Sequence, residues 1–576
     1  ILLPDKLKAR AELSYQPQSS NSKSKNPYHE YIKPGSWTLL NEANGANDGN
    51  TGSISKTETS TYLINAYLDY NQTFGKHTLS AVLGFSQDYV HYSSLSVNLK
   101  RLFSADVLKP GAAEDITLHT ISTSEQRRTS RAGFGRINYN FDNRYLFEVN
   151  GRYDGSSRFT PNDRYTFLPS FSAGWRISQE KFFESLRDYI GNLKIRASWG
   201  KLGSQPSDYY PYQAVMGSGQ PGFIIDGQYV SSVNTPGLVS PSLTWEKAAS
   251  TNIGLDISAL RSRLNVMFDI YERKTTDILT TGSVAYPSVL GASAPLENSG
   301  SLRARGWELD IQWNDRIGRV NYGVSFNLSD AVTTVLNYPS NPTKSYGSLY
   351  NGKTVGEIWG YSFGGILQAE DLELVGNKYI FHGPHTSSYT VYPGSAWYKD
   401  VNGDGFISTG SGTVDDSGDY HIIGNSTPRF RFGLSLNASW NGFDINAFFQ
   451  GTGKRDYWIS SQHYWGNVGY GGSQWMWERS WKPDNTDAKF PLYGQTPSVC
   501  DYYLMDASYI RLKQLVLGYT LPANLTRKVG VDKLRFNVSA YNLFTLTHIP
   551  GIFDPDQMSD AYPQKKTLSV GAQITF

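Results

Sequence analysis

The run Asp400-Val401-Asn402-Gly403-Asp404-Gly405-Phe406-Ile407 has the spacing of the first half of an EF-hand-type calcium loop. Oxygen side chains at alternate positions can converge on one cation, and Gly405 permits the sharp turn such a loop needs. The Phe406 carbonyl would be the next ligand. Ser411 stands where the usual bidentate Glu would be, which leaves Asp415, Asp416 or Asp419 to complete the shell. The expectation is a structural Ca2+ that ties down a long loop, with an ion-free, Asx-rich turn as the alternative.

A second group is aromatic. Tyr464, Trp465, Tyr470, Trp475 and Trp477 fall within one segment, 453–505. Ring faces can stack on sugars or hold peptide side chains, so the segment is a candidate substrate-contacting surface. Contact with a protein partner and packing among loops are the alternative readings. His382 and His385 form an HxxH pair with no acid at zincin spacing, and no Walker loop, dinucleotide fingerprint or nucleophile elbow occurs. Cys500 is the single cysteine, so an internal disulfide and a cysteine-based zinc site are excluded.

Aromatic residues make up 14% of the 576 residues, a share suited to the aromatic girdles of a transmembrane barrel. No run of eighteen apolar residues exists that could form a transmembrane helix. A net charge of +2 offers no field for nucleic acid. The opening ILLPDKLKAR has no initiator Met, basic n-region or apolar h-region, which predicts a mature and truncated piece of a longer exported protein.

The elements that must position these residues are strands. RFRFGLSLNASW (429–440) puts Phe430, Phe432, Leu434, Leu436, Ala438 and Trp440 on one face and Arg429, Arg431, Ser435, Asn437 and Ser439 on the other. Similar period-two alternation predicts about sixteen strands, near 6–17, 59–71, 77–90, 130–140, 144–154, 166–177, 190–201, 246–258, 262–274, 303–314, 319–331, 428–441, 443–452, 506–520, 534–545 and 565–576. Their connections alternate between short links and long loops, notably 332–427 and 453–505. That parity predicts an all-β, antiparallel transmembrane barrel with short periplasmic turns, long extracellular loops and a periplasmic C-terminus. Lys194, Arg196, Glu308, Asp310, Arg429 and Arg431 are then predicted to face the lumen and could line a permeation path.

Several segments carry a resemblance to a known family. RYDGSSRF (152–159), LPSFSAGWRIS (168–178), LKIRASWGKLGS (193–204), TWEKAASTNIGLD (244–256), NSGSLRARGWELDI (298–311), SYIRLKQLVLGYTLP (508–522) and SAYNLFTLTHIPGIFDPD (539–556) occur in the family's order, closed by Phe576. With these segments the chain resembles the SusC/RagA-like, TonB-dependent transporters of the outer membrane of Gram-negative bacteria. The resemblance implies a 22-stranded barrel, an N-terminal plug, a TonB-interacting segment, and a SusD-like surface lipoprotein that caps the barrel as a lid.

The plug is not in this sequence and about sixteen strands are, so the plug and roughly six strands are expected either in cis or as a separate chain. The wall charges would then anchor the plug. DYHIIG (419–424) resembles the family segment after the calcium-like loop, which favours Asp419 as its closing ligand. The implied activity is TonB-driven import of glycans or oligopeptides. A passive porin or adhesin is the alternative, and a barrel enzyme is a third class.

Overall fold

The computed structural model describes residues 6–576 except 29–30, 33–38, 41–48, 207, 220–223, 226–227, 231, 241, 283–286, 288, 290–291, 293, 386–389, 466–473, 552 and 559–563. Sixteen strands form one antiparallel sheet in which each pairs with its neighbours in sequence. The first seven are β1 (Leu7–Asn26), β2 (Asn50–Phe74), β3 (His77–Leu102), β4 (Thr120–Phe141), β5 (Tyr145–Ser156), β6 (Tyr165–Arg176) and β7 (Ile190–Ser204). Then follow β8 (Glu246–Ala259), β9 (Leu264–Thr281), β10 (Leu296–Ile317), β11 (Val320–Asn337) and β12 (Arg429–Trp440). The last are β13 (Phe443–Lys454), β14 (Tyr509–Thr520), β15 (Lys533–Thr547) and β16 (Thr567–Thr575). Each corresponds to one predicted strand. Among the described residues no helix is long and apolar enough to cross a membrane.

Residues opposed across an antiparallel pair share a face, so the register sorts the two sides. One continuous row runs Lys194, Asp256, Met267, Asp310, Asn327, Gly433, Gln450 and Arg511 from β7 to β14. One residue further along, the row Ile195, Leu255, Phe268, Leu309, Leu328 and Phe432 is wholly apolar. The row Leu193, Ile257, Val266, Ile311, Phe326 and Leu434 repeats it. A sheet with a polar face and an apolar face that stays exposed suits a wet lumen on one side and lipid on the other. The exposure of Ile195, Ile253 and Ile270 then reflects solvation by hydrocarbon.

The structure departs from the predicted strand lengths at β10, which runs to 22 residues where the alternation predicts 303–314, and along the whole N-terminal end. β1, β2, β3 and β4 run to 20, 25, 26 and 22 residues, whereas about ten tilted residues cross a bilayer. Their outer halves are rich in Ser and Thr on both faces (QPQSSNSKSKN, NTGSISKTETS), so no apolar stripe announces them. They pair nonetheless because hydroxylated and β-branched residues suit a solvated ladder. Leu99, Leu102 and Ala105 are buried near the tip of this extension.

Candidate functional site

The long connections 338–428, 455–508 and 548–566 follow β11, β13 and β15 and pack together. Tyr361, Tyr398, Ile407, Ile459, Tyr464, Trp465, Phe490, Cys500 and Tyr503 form their shared core, against which Phe553 packs. Tyr464 and Trp465 are only 1% and 2% exposed. The substrate-contact reading is therefore corrected for these two, whose rings are enclosed by Phe490, Trp475 and Tyr503. Trp475 is half-buried, with Arg479 over its ring at 4.7 Å. Trp477 is exposed and meets Tyr493 edge-on, and Tyr470 lies outside the described residues. Burial pushes the Tyr361 hydroxyl up to about 12 and the Cys500 thiol up to about 11, so both stay neutral across the physiological range.

The calcium-like turn sits on this loop cluster. Asp400 accepts the backbone N–H of Gly403 at 2.6 Å and of Gly405 at 2.8 Å. Those amides, Gly405's first, hold its carboxyl below the usual range. Asn402 donates its side-chain amide to Asp404 at 2.9 Å, and Asp404 accepts the N–H of Phe406 at 2.8 Å.

None of the three candidate closing acids is free. Asp415 pairs with Lys344 at 3.1 Å, and Asp416 accepts the N–H of Ser411 at 2.9 Å. Asp419, fully buried, accepts N–H groups from Val401 (2.7 Å), Asn402 (3.4 Å) and Ser408 (2.8 Å). Its anion thus clasps two stretches of backbone, and among the described residues no three His, Cys, Asp or Glu side chains converge as a metal site. His382 pairs with Glu373 at 2.7 Å, while His385 bonds the Gly383 carbonyl.

On the polar face the predicted wall residues are mostly paired. Lys194 meets Asp256 at 2.7 Å, and Arg196 meets Asp256 at 3.1 Å and Asp269 at 2.6 Å. Arg429 corrects the lumen-facing expectation: it pairs with Asp330, which stands opposite Trp307 on the apolar face, because the positive φ of Phe430 breaks the alternation at the start of β12. Asp310 accepts from the Gln312 side chain at 3.0 Å, while Glu308 and Arg431 are exposed.

Glycines make room for one of these bridges and for a further one, between Arg535 and Asp444. Arg196 and Asp269 flank Gly254 across β8, where a Cβ would come within 2.5 Å of the guanidinium and 2.7 Å of the carboxylate. Arg535 reaches Asp444 over Gly518 in the same manner, at 2.5 Å.

Sequence reasoning missed the most buried cation. Arg511, 1% exposed, pairs with Asp554 at 2.7 Å and Asp556 at 2.6 Å and donates to Gln564 at 2.9 Å. Tyr509 donates to Asp556 as well. The network pins the 548–566 loop to β14. The DPD of FDPD and the Arg in IRLKQ were the visible signal, but nothing in one sequence joins them.

A family described as "TonB dependent receptor-like, beta-barrel" matches residues 4–543. The chain is 28% identical over 566 residues to TonB-dependent receptor P3 of Formosa agariphila, across 92% of this chain and 54% of that protein. It is 25% identical over 550 residues to TonB-dependent receptor SusC of Bacteroides thetaiotaomicron, across 89% of this chain and 50% of that protein. The chain thus spans about half the length of the curated relatives it matches. Among solved structures, the RagAB peptide transporter superposes over 100% of this chain and 60% of its own, with a TM-score of 0.77 at 21% identity. At that identity the likeness shows the fold.

Proposed function

The chain belongs to the TonB-dependent receptor-like β-barrel family, and on that premise we propose that it is the barrel wall of an energised importer of oligomeric nutrients. An outer-membrane barrel follows from the family, and the same match sets aside the barrel-enzyme alternative. The observation that carries the import reading is the match to the TonB-dependent receptor family over residues 4–543; the sorted sheet, with outward apolar rows backing a polar, ion-paired face and three long loops consolidated above it, supports the barrel wall. The long loops then face outward and the C-terminus faces the periplasm of a Gram-negative cell.

The SusC/RagA-like resemblance of the sequence implies glycans or oligopeptides as cargo and a SusD-like lipoprotein as lid, and the structural neighbour RagAB is itself described as a peptide importer. A plug and further strands, in cis or as a second chain, would occupy the polar face and pair the two outermost strands, whose edges are costly in lipid. TonB would act through that further region. The test is uptake of labelled oligosaccharides and oligopeptides by cells carrying or lacking the gene, with TonB present or inactivated. Gene-dependent uptake that stops without TonB is expected, and uptake that persists without TonB would establish the passive porin instead.

Calcium at the 400–406 turn belongs to the same reading as a structural ligand. Oxygen at Asp400, Asn402 and Asp404, on an exposed turn, supports it. Loading would require those side chains to turn from backbone amides to the ion. Titration calorimetry of the chelator-treated protein should show one Ca2+ event that D400N/D404N abolishes, and no heat in either protein would leave an ion-free turn.

A further inference from the structure

The outward apolar face ends, on the side of the long loops, in a row of cations. Stepping two residues at a time along the outward face of β7 to β10, the row Ala197–Ile253–Ile270–Trp307 gives way to Trp199–Thr251–Glu272–Arg305. The next row is Lys201–Ala249–Lys274–Arg303. Alternate residues keep a strand's face, so Lys274, Arg303 and Arg305 share the face of Ile270 and Trp307. They stand on the lipid side, away from any plug or cargo.

Arg305 pairs with Glu272 at 2.5 Å, and Arg303 and Lys274 act electrostatically on the same carboxylate. Three cations against one acid leave two positive charges in one small outward patch, and the side chains of Arg305 and Glu272 stay 63% and 41% exposed. Lys201 extends the row, its ammonium 5.7 Å from the Trp199 ring centroid. Cross-strand neighbours lie about 5 Å apart and diagonal ones about 7–8 Å. Like charges at that spacing repel unless an anion joins them.

We propose that Lys274, Arg303 and Arg305 bind the phosphate of a phosphorylated glycolipid in the outer leaflet. The occupant must be part of the membrane, because the patch continues the lipid face. It must be anionic, because the local charge is positive. Phosphate suits forked guanidinium donors beside a lysine point charge. The inference rests on the outward-facing long loops of the functional reading.

Native mass spectrometry of the full-length protein, stripped of lipid in detergent, tests it with lipid A carrying or lacking its phosphates as probe. The phosphorylated form should bind, and K274Q/R303Q/R305Q should weaken it at least about tenfold, given what each cation contributes beside an anionic surface. Equal binding of the dephosphorylated form, or unchanged binding by the variant, would reduce the contact to acyl chains and overturn the proposal. Orientation is checked apart, by membrane-impermeant maleimide on intact cells carrying Lys378→Cys, an exposed loop position; the native Cys500 is buried. Labelling is expected. Its absence would place the patch at the inner leaflet and overturn the glycolipid assignment, without bearing on TonB-dependent uptake.

Discussion

Asp419→Ala should loosen the 400–408 turn while leaving the sheet intact. The carboxylate is fully buried and takes the N–H groups of Val401 at 2.7 Å and Ser408 at 2.8 Å, with a longer contact to Asn402. Leaving a buried donor unpaired costs about 1–3 kcal/mol. Val401 is 55% exposed, so its amide can turn to water, and most of the loss falls on Ser408. The net effect is then about 2 kcal/mol, or roughly a thirtyfold rise in local opening at tenfold per 1.4 kcal/mol. Hydrogen exchange of the full-length protein in detergent reads this directly. Peptides covering 400–410 should exchange roughly thirtyfold faster, while those from β11 stay unchanged. Asp419→Asn keeps one acceptor and should fall between. Exchange within threefold of wild type in Asp419→Ala would refute the clasp and hand the turn's order to something else.

Replacing Arg511 with Met strands two carboxylates in a site where the arginine side chain is 2% exposed. Breaking such a buried network costs about 3–5 kcal/mol, and limited proteolysis should cut the 548–558 segment first. Leu309→Arg, in the middle of an apolar row, should cost about 2–4 kcal/mol and lower the urea midpoint of the folded barrel. Asp310→Arg, one residue on, should change it far less, and equal effects would contradict the assigned faces. Gly254→Ala would place a methyl group into the Arg196–Asp269 bridge, so its destabilisation should largely vanish in an Arg196→Gln background, a coupling that a double-mutant cycle measures. Acid should loosen the Asp400 turn. Its carboxyl is held low in the fold, so its contribution is present above the ordinary carboxylate pKa of about 3.9 and fades as pH falls further. Protection of the Gly403 and Gly405 amides, measured against their intrinsic exchange rates at each pH, should fall below about pH 4.

The strands were legible because two environments imposed alternation on them. RFRFGLSLNASW and WELDIQW carry an apolar stripe only because one face meets lipid, and that stripe set strand count, order and register. Where both faces meet water, as in QPQSSNSKSKN of β1, the stripe vanishes and the strand's outer half was not readable. Loop residues failed for another reason. Tyr464 and Trp477 look alike in sequence, yet one lies at the centre of a core and the other faces solvent, because contacts across 338–428, 455–508 and 548–566 decide the matter. Arg511 and Asp556 lie 45 residues apart, and only the β14–β15 register brings them together.

The glycines on the polar face belong to that same class of information. A glycine inside a strand weakens it, so its presence points to a close approach. Gly254 and Gly518 are such positions: each sits between a cation on one neighbouring strand and a carboxylate on the other, and the missing side chain lets the two meet. A bridge over the middle strand ties three strands at once, whereas a direct pair such as Lys194–Asp256 ties two. On a wet face a single exposed pair contributes little, about 0–1 kcal/mol. What the spanning bridge adds is discrimination: a one-residue slip of β8 would carry Gly254 to the lipid side and push Leu255 or Ile253 between Arg196 and Asp269. The two faces are thus specified twice, by hydrophobicity on the outside and by glycine-spanned ion pairs within.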